Sequence, residues 1–293
     1  MISVIIPTYN SEKFIIKTLH SVKDQSFKEF EIIISDDGST DNTISVLEKF
    51  KMENPSIRTT IIANSHQGPG ATRNIGVSRA QYEWISFLDS DDYWEKEKLE
   101  RVAIKISDEC LDLVFHDEMT DYPDRQEPLL HSQKYDPSVP LFIAILRRNF
   151  LSPSAVTMRK KIFLEVGGFD VSLPSAQDFD LWLNLASSFE LKLGFIAEIL
   201  GHYVIRKGSI SFNPIKRKDC MIRISRKHYE SIRKFSPSPF IEKYQFLGMS
   251  LQVVGRQAIA QKKWLLGLSW LILGLIYNPR IDLMKRFLNK FTK

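Results

Sequence analysis

The stretch WISFLDSDD, residues 84–92, sets an apolar run of strand character directly ahead of three aspartates, Asp89, Asp91 and Asp92. The same order recurs upstream: EIIIS at 31–35 is followed by Asp36 and Asp37, and ISVII at 2–6 is followed by PTYN at 7–10. TTIIA at 59–63 and DLVFH at 112–116 supply two more short β-branched or apolar runs. Between them, residues 12–24, 41–53, 70–80 and 95–107 read as helices. Strands alternating with helices predict an α/β fold with a mostly parallel central sheet covered by helices. In such sheets ligands gather at the carboxyl ends of the strands, so the polar residues just past each run are the candidate site.

Farther along, residues 117–140 carry four prolines and mixed charges and read as a long loop. A helix over 140–149, a strand near 154–159, a helix over 175–188 and strand material in 191–205 follow. From 216 the chain reads as helical, with a break at SPSPF, 236–240. The expected division is a domain of residues 1–215 and a basic helical region of residues 216–293.

The composition is that of a folded chain: 293 residues, 43% hydrophobic and 26% charged, which excludes a disordered, collagenous or multi-span membrane protein. Two cysteines, Cys110 and Cys220, form no CxxC or disulfide framework, and the apolar start is too short for a secretory leader, so a cytoplasmic location is expected. Charge is strongly segregated. Residues 1–200 hold 21 Lys and Arg against 31 Asp and Glu, a net −10, whereas residues 201–293 hold 19 against 4, a net +15. A basic end of that size predicts a polyanionic partner, a membrane surface or nucleic acid. Aromatic and basic residues do not interleave as in a single-strand groove, so no nucleic-acid partner is expected.

Carboxylates crowded on one sheet edge repel one another unless a positive charge lies between them. Asp89-Ser90-Asp91 is an alternating pair that can aim oxygen at a hard divalent ion, Mn²⁺ or Mg²⁺, leaving positions for substrate phosphates. Each aspartate alone is better explained as a turn or helix cap, and it is the three clusters together that point to the ion. In HQGPGATRNIG, 66–76, glycines and a proline make a tight turn, and the helix that follows presents Arg73 near its start, a setting suited to a diphosphate. It is neither a dinucleotide fingerprint nor a Walker A loop. A third acidic group, Asp178 and Asp180, opens the helix near 175. His116, at the end of the fifth strand, faces either an acceptor or the core edge. Trp182 reads as packing, with the border of an acceptor site as the alternative, and Arg206 reads as a phosphate contact or a solvated strand end.

Taken together, PTYN (7–10), DDGSTDNT (36–43), GPGATRNIG (68–76), FLDSDD (87–92), GGFD (167–170) and QDFDLWLNLA (177–186) resemble glycosyltransferase family 2 over residues 1–210. The resemblance implies a GT-A type fold that binds nucleotide-diphospho-sugars, followed here by a C-terminal helical extension. It also implies inverting transfer of a hexosyl or N-acetylhexosaminyl group. It sets Pro7, Thr8 and Tyr9 along the nucleotide, Asp37 on the base with Asp36 beside it, and Arg73 near the nucleotide. Asp89 falls to the ribose or the metal shell, Asp91 to the metal, and Asp178 to the general base. Gln177 stands where the family usually has glutamate, removing one charge beside the acceptor. UDP is the implied carrier, with GDP or dTDP as alternatives. The implied acceptor is a glycan or a polyprenyl-diphosphate-linked glycan in surface polysaccharide synthesis, handled at the inner face of the cell membrane. Two other classes compete. A sugar-phosphate nucleotidyltransferase would carry a Gly-rich basic loop where this chain has PTYN, and a non-catalytic polybasic lipid-binding protein would show binding that falls with salt and ignores Mn²⁺.

The most apolar segment, WLLGLSWLILGLIY at 264–277, follows Lys262 and Lys263 and precedes Arg280. As a helix it extends about 21 Å against about 30 Å of bilayer hydrocarbon, so it does not span alone. It is either a buried helix of a small bundle or an interfacial anchor. The basic excess, together with RIDLMKRFLNKF at 280–291, whose Ile281, Met284, Leu288 and Phe291 recur at helical spacing, points to an anionic membrane surface held by a peripheral protein.

Overall fold

The computed structural model of the protein describes residues 1–108, 110–206 and 213–278. These fall into two compact units, one of residues 1–173 and 177–206 and one of residues 174–176 and 213–278.

The first unit is built in chain order from β1 (Ile2–Thr8), α1 (Ile15–Lys23), β2 (Phe30–Asp36), α2 (Thr43–Glu53), β3 (Thr59–Ala63), α3 (Pro69–Arg79), β4 (Trp84–Phe87) and β5 (Tyr93–Trp94). It continues with α4 (Lys98–Asp108), β6 (Leu113–Asp121), β7 (Gln126–Leu129), α5 (Leu141–Arg147), β8 (Val156–Arg159), α6 (Lys160–Glu165), α7 (Gln177–Ser188) and β9 (Leu193–Val204). The strands form one sheet in the order β3-β2-β1-β4-β8-β6-β9-β5, with β7 added to β6. Strands β1 to β4 are mutually parallel, as the alternating pattern predicts. The far half is mixed: β8 runs antiparallel to β4 and β6, and β5 antiparallel to β9, while β6 and β9 are parallel.

Both faces of the parallel half are covered, which is why its strands read as continuous apolar runs. Ile2, Val4 and Ile6 of β1 join Ile32 and Ile34 of β2 with Ile15 and Leu19 of α1 and Leu47 and Phe50 of α2 in one buried cluster. On the other face α3 comes so close that a Cβ on Gly76 would lie 2.6 Å from Ile5 Cγ2, so only glycine seats that helix.

Where a long loop is expected over 117–140, the chain instead extends β6 to Asp121 and returns in β7. The charged residues there hide the strand, because pairing with both β7 and β9 satisfies their main chain whatever their side chains. Pro128 is tolerated because β7 pairs only with β6 and its other edge needs no donor.

The second unit contains α8 (Pro214–Lys227), α9 (Tyr229–Phe235), α10 (Pro239–Ala260) and α11 (Trp264–Tyr277). The expected break falls between α9 and α10, and Lys262, with φ 63°, turns the chain between α10 and α11. These last two helices meet backbone to backbone. A Cβ on Gly255 would lie 2.9 Å from Gly267 O, and one on Gly274 would lie 2.8 Å from Gly248 O. Gln252 Nε2 also donates to Gly274 O at 3.1 Å. No helix among the described residues is long and apolar enough to cross a membrane. The helical pattern expected over 280–291 lies outside the described residues.

Candidate active site

Parallel register brings three polar segments to one rim. Thr8, the last residue of β1, is level with Asp36 of β2, and Leu88 N, just past β4, donates to Ile5 O at 3.0 Å. The loops after β1, β2 and β4 therefore leave the sheet side by side.

Asp36 and Asp37 build the loop between β2 and α2. Asp36 Oδ2 accepts Gly38 N at 3.1 Å and Ser39 N at 2.8 Å. Asp37 reaches sideways: Oδ1 accepts Gln67 N at 2.8 Å, Oδ2 accepts Gly68 N at 2.9 Å, and His66 Nδ1 lies 2.9 Å from Oδ2. The aspartate that the resemblance assigns to the base thus also fixes the turn leading into α3. Above it, half-exposed Tyr9 pairs with the His66 ring at 4.6 Å, giving a tilted aromatic surface at the rim. Asn10, with φ 48°, accepts Thr40 N at 2.8 Å and so clamps the first loop to the second. Thr8 Oγ1 and Arg73 Nε are buried polar atoms without a hydrogen-bond partner among the described residues.

The DSDD loop after β4 is held from below by residues that one sequence does not flag. Thr18 Oγ1 of α1 lies 2.9 Å from Ser90 O and 2.7 Å from Asp92 O, and Ser11 Oγ is 3.0 Å from Ser90 Oγ. Asp92 is buried and anchors two distant segments, accepting Ser154 Oγ at 2.6 Å and Val204 N of β9 at 2.9 Å. Burial, then the nearby carboxylates of Asp91, Asp89 and Glu118, push its carboxyl well above the usual range. Ser154 Oγ also accepts Asp89 N at 3.2 Å, so one hydroxyl ties both ends of the loop.

With Asp92 turned inward, Asp89 and Asp91 are left at the rim, and a different arginine meets each. Arg73 of α3 pairs with Asp89. Arg206, two residues past the Val204 that Asp92 fixes, bonds Asp91 Oδ2 through both Nε (2.9 Å) and Nη2. Burial, then the adjacent Asp89, pushes the Asp91 carboxyl up, and Arg206 opposes the shift.

A divalent ion is what the resemblance implies, and these residues fit one. Asp89 and Asp91 are hard oxygen donors, Asp89 close enough to help push the Asp91 carboxyl up, and counter-charge already meets each of them. Among the described residues no group of three or more His, Cys, Asp or Glu is arranged to hold a metal by itself. That is the donor set of an ion completed by substrate phosphates rather than of a closed protein cage.

The third acidic group, Asp178 and Asp180, lies in the first turn of α7, with Asp180 fully buried. Gln177 packs so tightly on α3 that a Cβ on Gly70 would lie 2.8 Å from Gln177 Nε2. Asp178, the next residue, is half-buried in the first turn of α7. Nearby, Asn74 holds the GGFD turn by both edges: its Nδ2 donates to Phe169 O at 2.9 Å and its Oδ1 accepts Phe169 N at 2.9 Å. Gly168, with φ 71°, lies where a Cβ would strike Asn74 Oδ1 at 2.6 Å, so that turn requires glycine.

Two candidate acceptor residues lie in the interior. Trp182 is fully buried on α7 and donates Nε1 to Leu151 O at 3.1 Å. His116 is fully buried in β6, with Nδ1 2.8 Å from Asp117 O, and desolvation with help from Lys98 pushes its imidazole down to about 3. Neither presents surface to a ligand: their apolar bodies complete the core under the rim. Sequence reasoning missed Ser154, Thr18 and Asn10's clamp on Thr40, whose partners lie 30 to 74 residues away.

Against known proteins, the description "Glycosyl transferase family 2" matches residues 3–166, more than half of the chain. The chain belongs to glycosyl transferase family 2. Among relatives in this family, poly(ribitol-phosphate) β-N-acetylglucosaminyltransferase TarS of Staphylococcus aureus is 40% identical over 114 residues, 38% of this chain and 20% of that protein. A GalNAc(5)-diNAcBac-PP-undecaprenol β-1,3-glucosyltransferase of Campylobacter jejuni is 40% identical over 91 residues, covering 31% and 29%. An uncharacterized glycosyltransferase of Rickettsia felis is 32% identical over 241 residues, covering 80% and 38%. The match thus spans between 20% and 38% of the length of these relatives. Among solved structures, S. aureus TarS superposes with a TM-score of 0.66 at 27% identity, covering 86% of this chain and 43% of that one. TarS 1–349 in complex with UDP-GlcNAc gives 0.66 at 23% identity, covering 93% and 88%. A Pyrobaculum calidifontis mannosyltransferase in complex with GDP-Man and Mn²⁺ gives 0.64 at 16% identity, covering 95% and 87%. The fold of this family 2 member is accordingly of the GT-A type, a mixed α/β sheet with helices followed by C-terminal helices.

Proposed function

We propose that this chain is an inverting glycosyltransferase that moves a hexosyl or N-acetylhexosaminyl group from a nucleotide diphosphate sugar, a UDP-sugar by preference, to an acceptor hydroxyl. The acceptor is a glycan or a polyprenyl-diphosphate-linked glycan in surface polysaccharide synthesis, used at the inner face of the cell membrane. The reading rests on one juxtaposition: Gln177 seated on Gly70 at the start of the helix that carries Arg73, with Arg73 in turn paired to Asp89. Support for the substrate class comes from relatives, since TarS is named an N-acetylglucosaminyltransferase and the C. jejuni protein acts on an undecaprenol-linked glycan.

In this mechanism the nucleotide lies along Pro7, Thr8 and Tyr9, with the base toward Asp37 and Asp36. Asp178 takes the acceptor proton as the hydroxyl oxygen attacks the anomeric carbon on the face opposite the diphosphate, and a correctly placed base of this kind contributes roughly 10² to 10⁴ in rate. The carbon–oxygen bond to phosphate breaks as the new bond forms, so a single displacement inverts the configuration. Negative charge grows on the departing nucleoside diphosphate, where Arg73 and Arg206, released from Asp89 and Asp91, meet it. Asp91, with Asp89 beside it, would hold Mn²⁺ or Mg²⁺, which when bound supplies further positive charge for the diphosphate. Gln177, buried with its Nε2 donating to Leu173 O at 2.5 Å, braces the start of the helix that carries Asp178 where the usual glutamate would add a charge.

A thermal-shift and hydrolysis screen of UDP-, GDP- and dTDP-sugars, with and without Mn²⁺, tests the reading. Stabilisation and slow hydrolysis with one nucleotide sugar, enhanced by Mn²⁺, is the expected result. No response to any donor overturns it.

A further inference from the structure

We infer that the outward face of α11, together with Lys262 and Lys263 ahead of it, is a docking surface that lies flat on an anionic lipid bilayer. The inference deepens the membrane location proposed above and rests on that reading for its biological sense, although the binding itself involves no sugar chemistry.

The α11 helix has two faces of different kinds. Gly267, Trp270, Leu271 and Gly274 are buried, and the two glycines face Gly255 and Gly248 of α10. On the opposite arc Leu265, Leu268, Ile272 and Ile276 stand in solvent, with Leu265 88% exposed and Ile276 66% exposed. Their spacing of three and four residues keeps them in one stripe for the length of the helix. A contiguous apolar stripe on a surface helix marks an interaction site rather than ordinary surface scatter. Since α11 is too short to cross a bilayer, an apolar stripe of this length meets lipid by lying in the interface plane.

Charge selects the occupant. Residues 213–278 carry 12 Lys and Arg against 3 Asp and Glu, a net +9. A second copy of the same surface would bring like charge to like charge, whereas an anionic leaflet offers the opposite sign to every lysine and arginine near it. Lys262 and Lys263 are exposed at the N-terminal end of the stripe, next to the half-exposed Trp264. Lysine heads beside an indole at the start of an apolar helix form the arrangement that settles at headgroup level.

The test uses the full chain in flotation with phosphatidylcholine vesicles and with equimolar phosphatidylcholine/phosphatidylglycerol vesicles, without donor or acceptor. Binding to the anionic vesicles is expected to exceed binding to the neutral ones by about tenfold or more and to fall as salt rises. Leu268→Glu/Ile272→Glu, which puts charge into the stripe, and Lys262→Glu/Lys263→Glu, which reverses its basic end, are each expected to lower that binding about tenfold. Met52→Glu, an exposed apolar residue of the other unit, is expected to leave it unchanged. Thermal melts of each variant, with and without the nucleotide sugar found in the donor screen, separate the outcomes: loss of vesicle binding with folding and donor response intact supports the inference. Equal binding to both vesicle types, or full binding by Leu268→Glu/Ile272→Glu, overturns it. So does a wild-type dimer that ignores vesicles and becomes a monomer in Leu268→Glu/Ile272→Glu, which would make the stripe a self-association surface. A protein that binds vesicles as expected but responds to no donor would sink the proposed activity and leave the docking surface standing.

Discussion

The two units solve opposite problems with the same materials. In the first, charge is turned inward on itself: Asp36 folds its own loop, Asp37 fixes the turn into α3, Asp92 anchors β9, and Asp89 and Asp91 each meet an arginine. In the second, main chain packs against main chain at Gly248, Gly255, Gly267 and Gly274 beside a small core of Val254, Ala258 and Trp270, and the apolar stripe of α11 is left outside. The difference teaches where each unit keeps its rigidity. The rim is pre-organised through side chains, whereas the hairpin is held in part by backbone contact and leaves one face of α11 exposed.

The sharpest way to break this contrast is Asp178→Asn. Transfer is expected to fall roughly 10²- to 10⁴-fold in a product assay, while donor-induced stabilisation and vesicle flotation stay at wild-type level. Near wild-type transfer would remove Asp178 from its role as base. Next in size, Trp182→Ala should destabilise the first unit by about 3–5 kcal/mol in denaturant titration, because the fully buried indole loses both its packing and its bond to Leu151 O. A loss below about 1 kcal/mol would mean that the side chain is peripheral to the core.

In the second unit, Gly274→Leu should lower stability by up to about 3 kcal/mol, since the nearest atoms include Gly248 O and Gln252 N, main-chain atoms that cannot rotate aside. The transition assigned to α10 and α11 should shift while donor binding holds. An unchanged melt would show that the hairpin opens without penalty.

A smaller effect concerns pH. His116 is buried beside Lys98 and His131, with Asp117 O on its Nδ1, and Lys98 and His131 oppose its protonation. Its folded value of about 3 lies below the ordinary 6.5, so on acidification the unfolded chain takes up the proton first and stability is lost below pH 6.5. At pH 5 the loss amounts to about 2 kcal/mol. Melts of wild type between pH 7 and pH 5 should show the decline, and His116→Gln should flatten it. Parallel slopes for the two proteins would show that another group carries the acid sensitivity.

The parallel half of the sheet was legible because β1, β2 and β4 are buried on both faces and are written mainly in apolar residues. The rim was legible because aspartates follow two such runs, EIIIS and WISFL, a recurrence that a single turn or cap does not account for. The hairpin of β6 and β7 was hidden, because its pairing is carried by main chain under charged side chains. The supports of the rim were hidden by distance: Ser154 lies 62 residues from Asp92, and Arg206 lies 115 from Asp91, farther than any local pattern reaches. Helix α11 packs on one side, as the bundle reading expects, and is exposed on the other, which composition alone did not show.

The glycine seam of α10 and α11 has one more consequence. Because that joint is sealed by peptide groups, substitutions on the outer stripe of α11 leave the joint untouched. The hairpin therefore offers evolution a free dial, on which adhesion can be retuned one residue at a time without loosening the scaffold beneath.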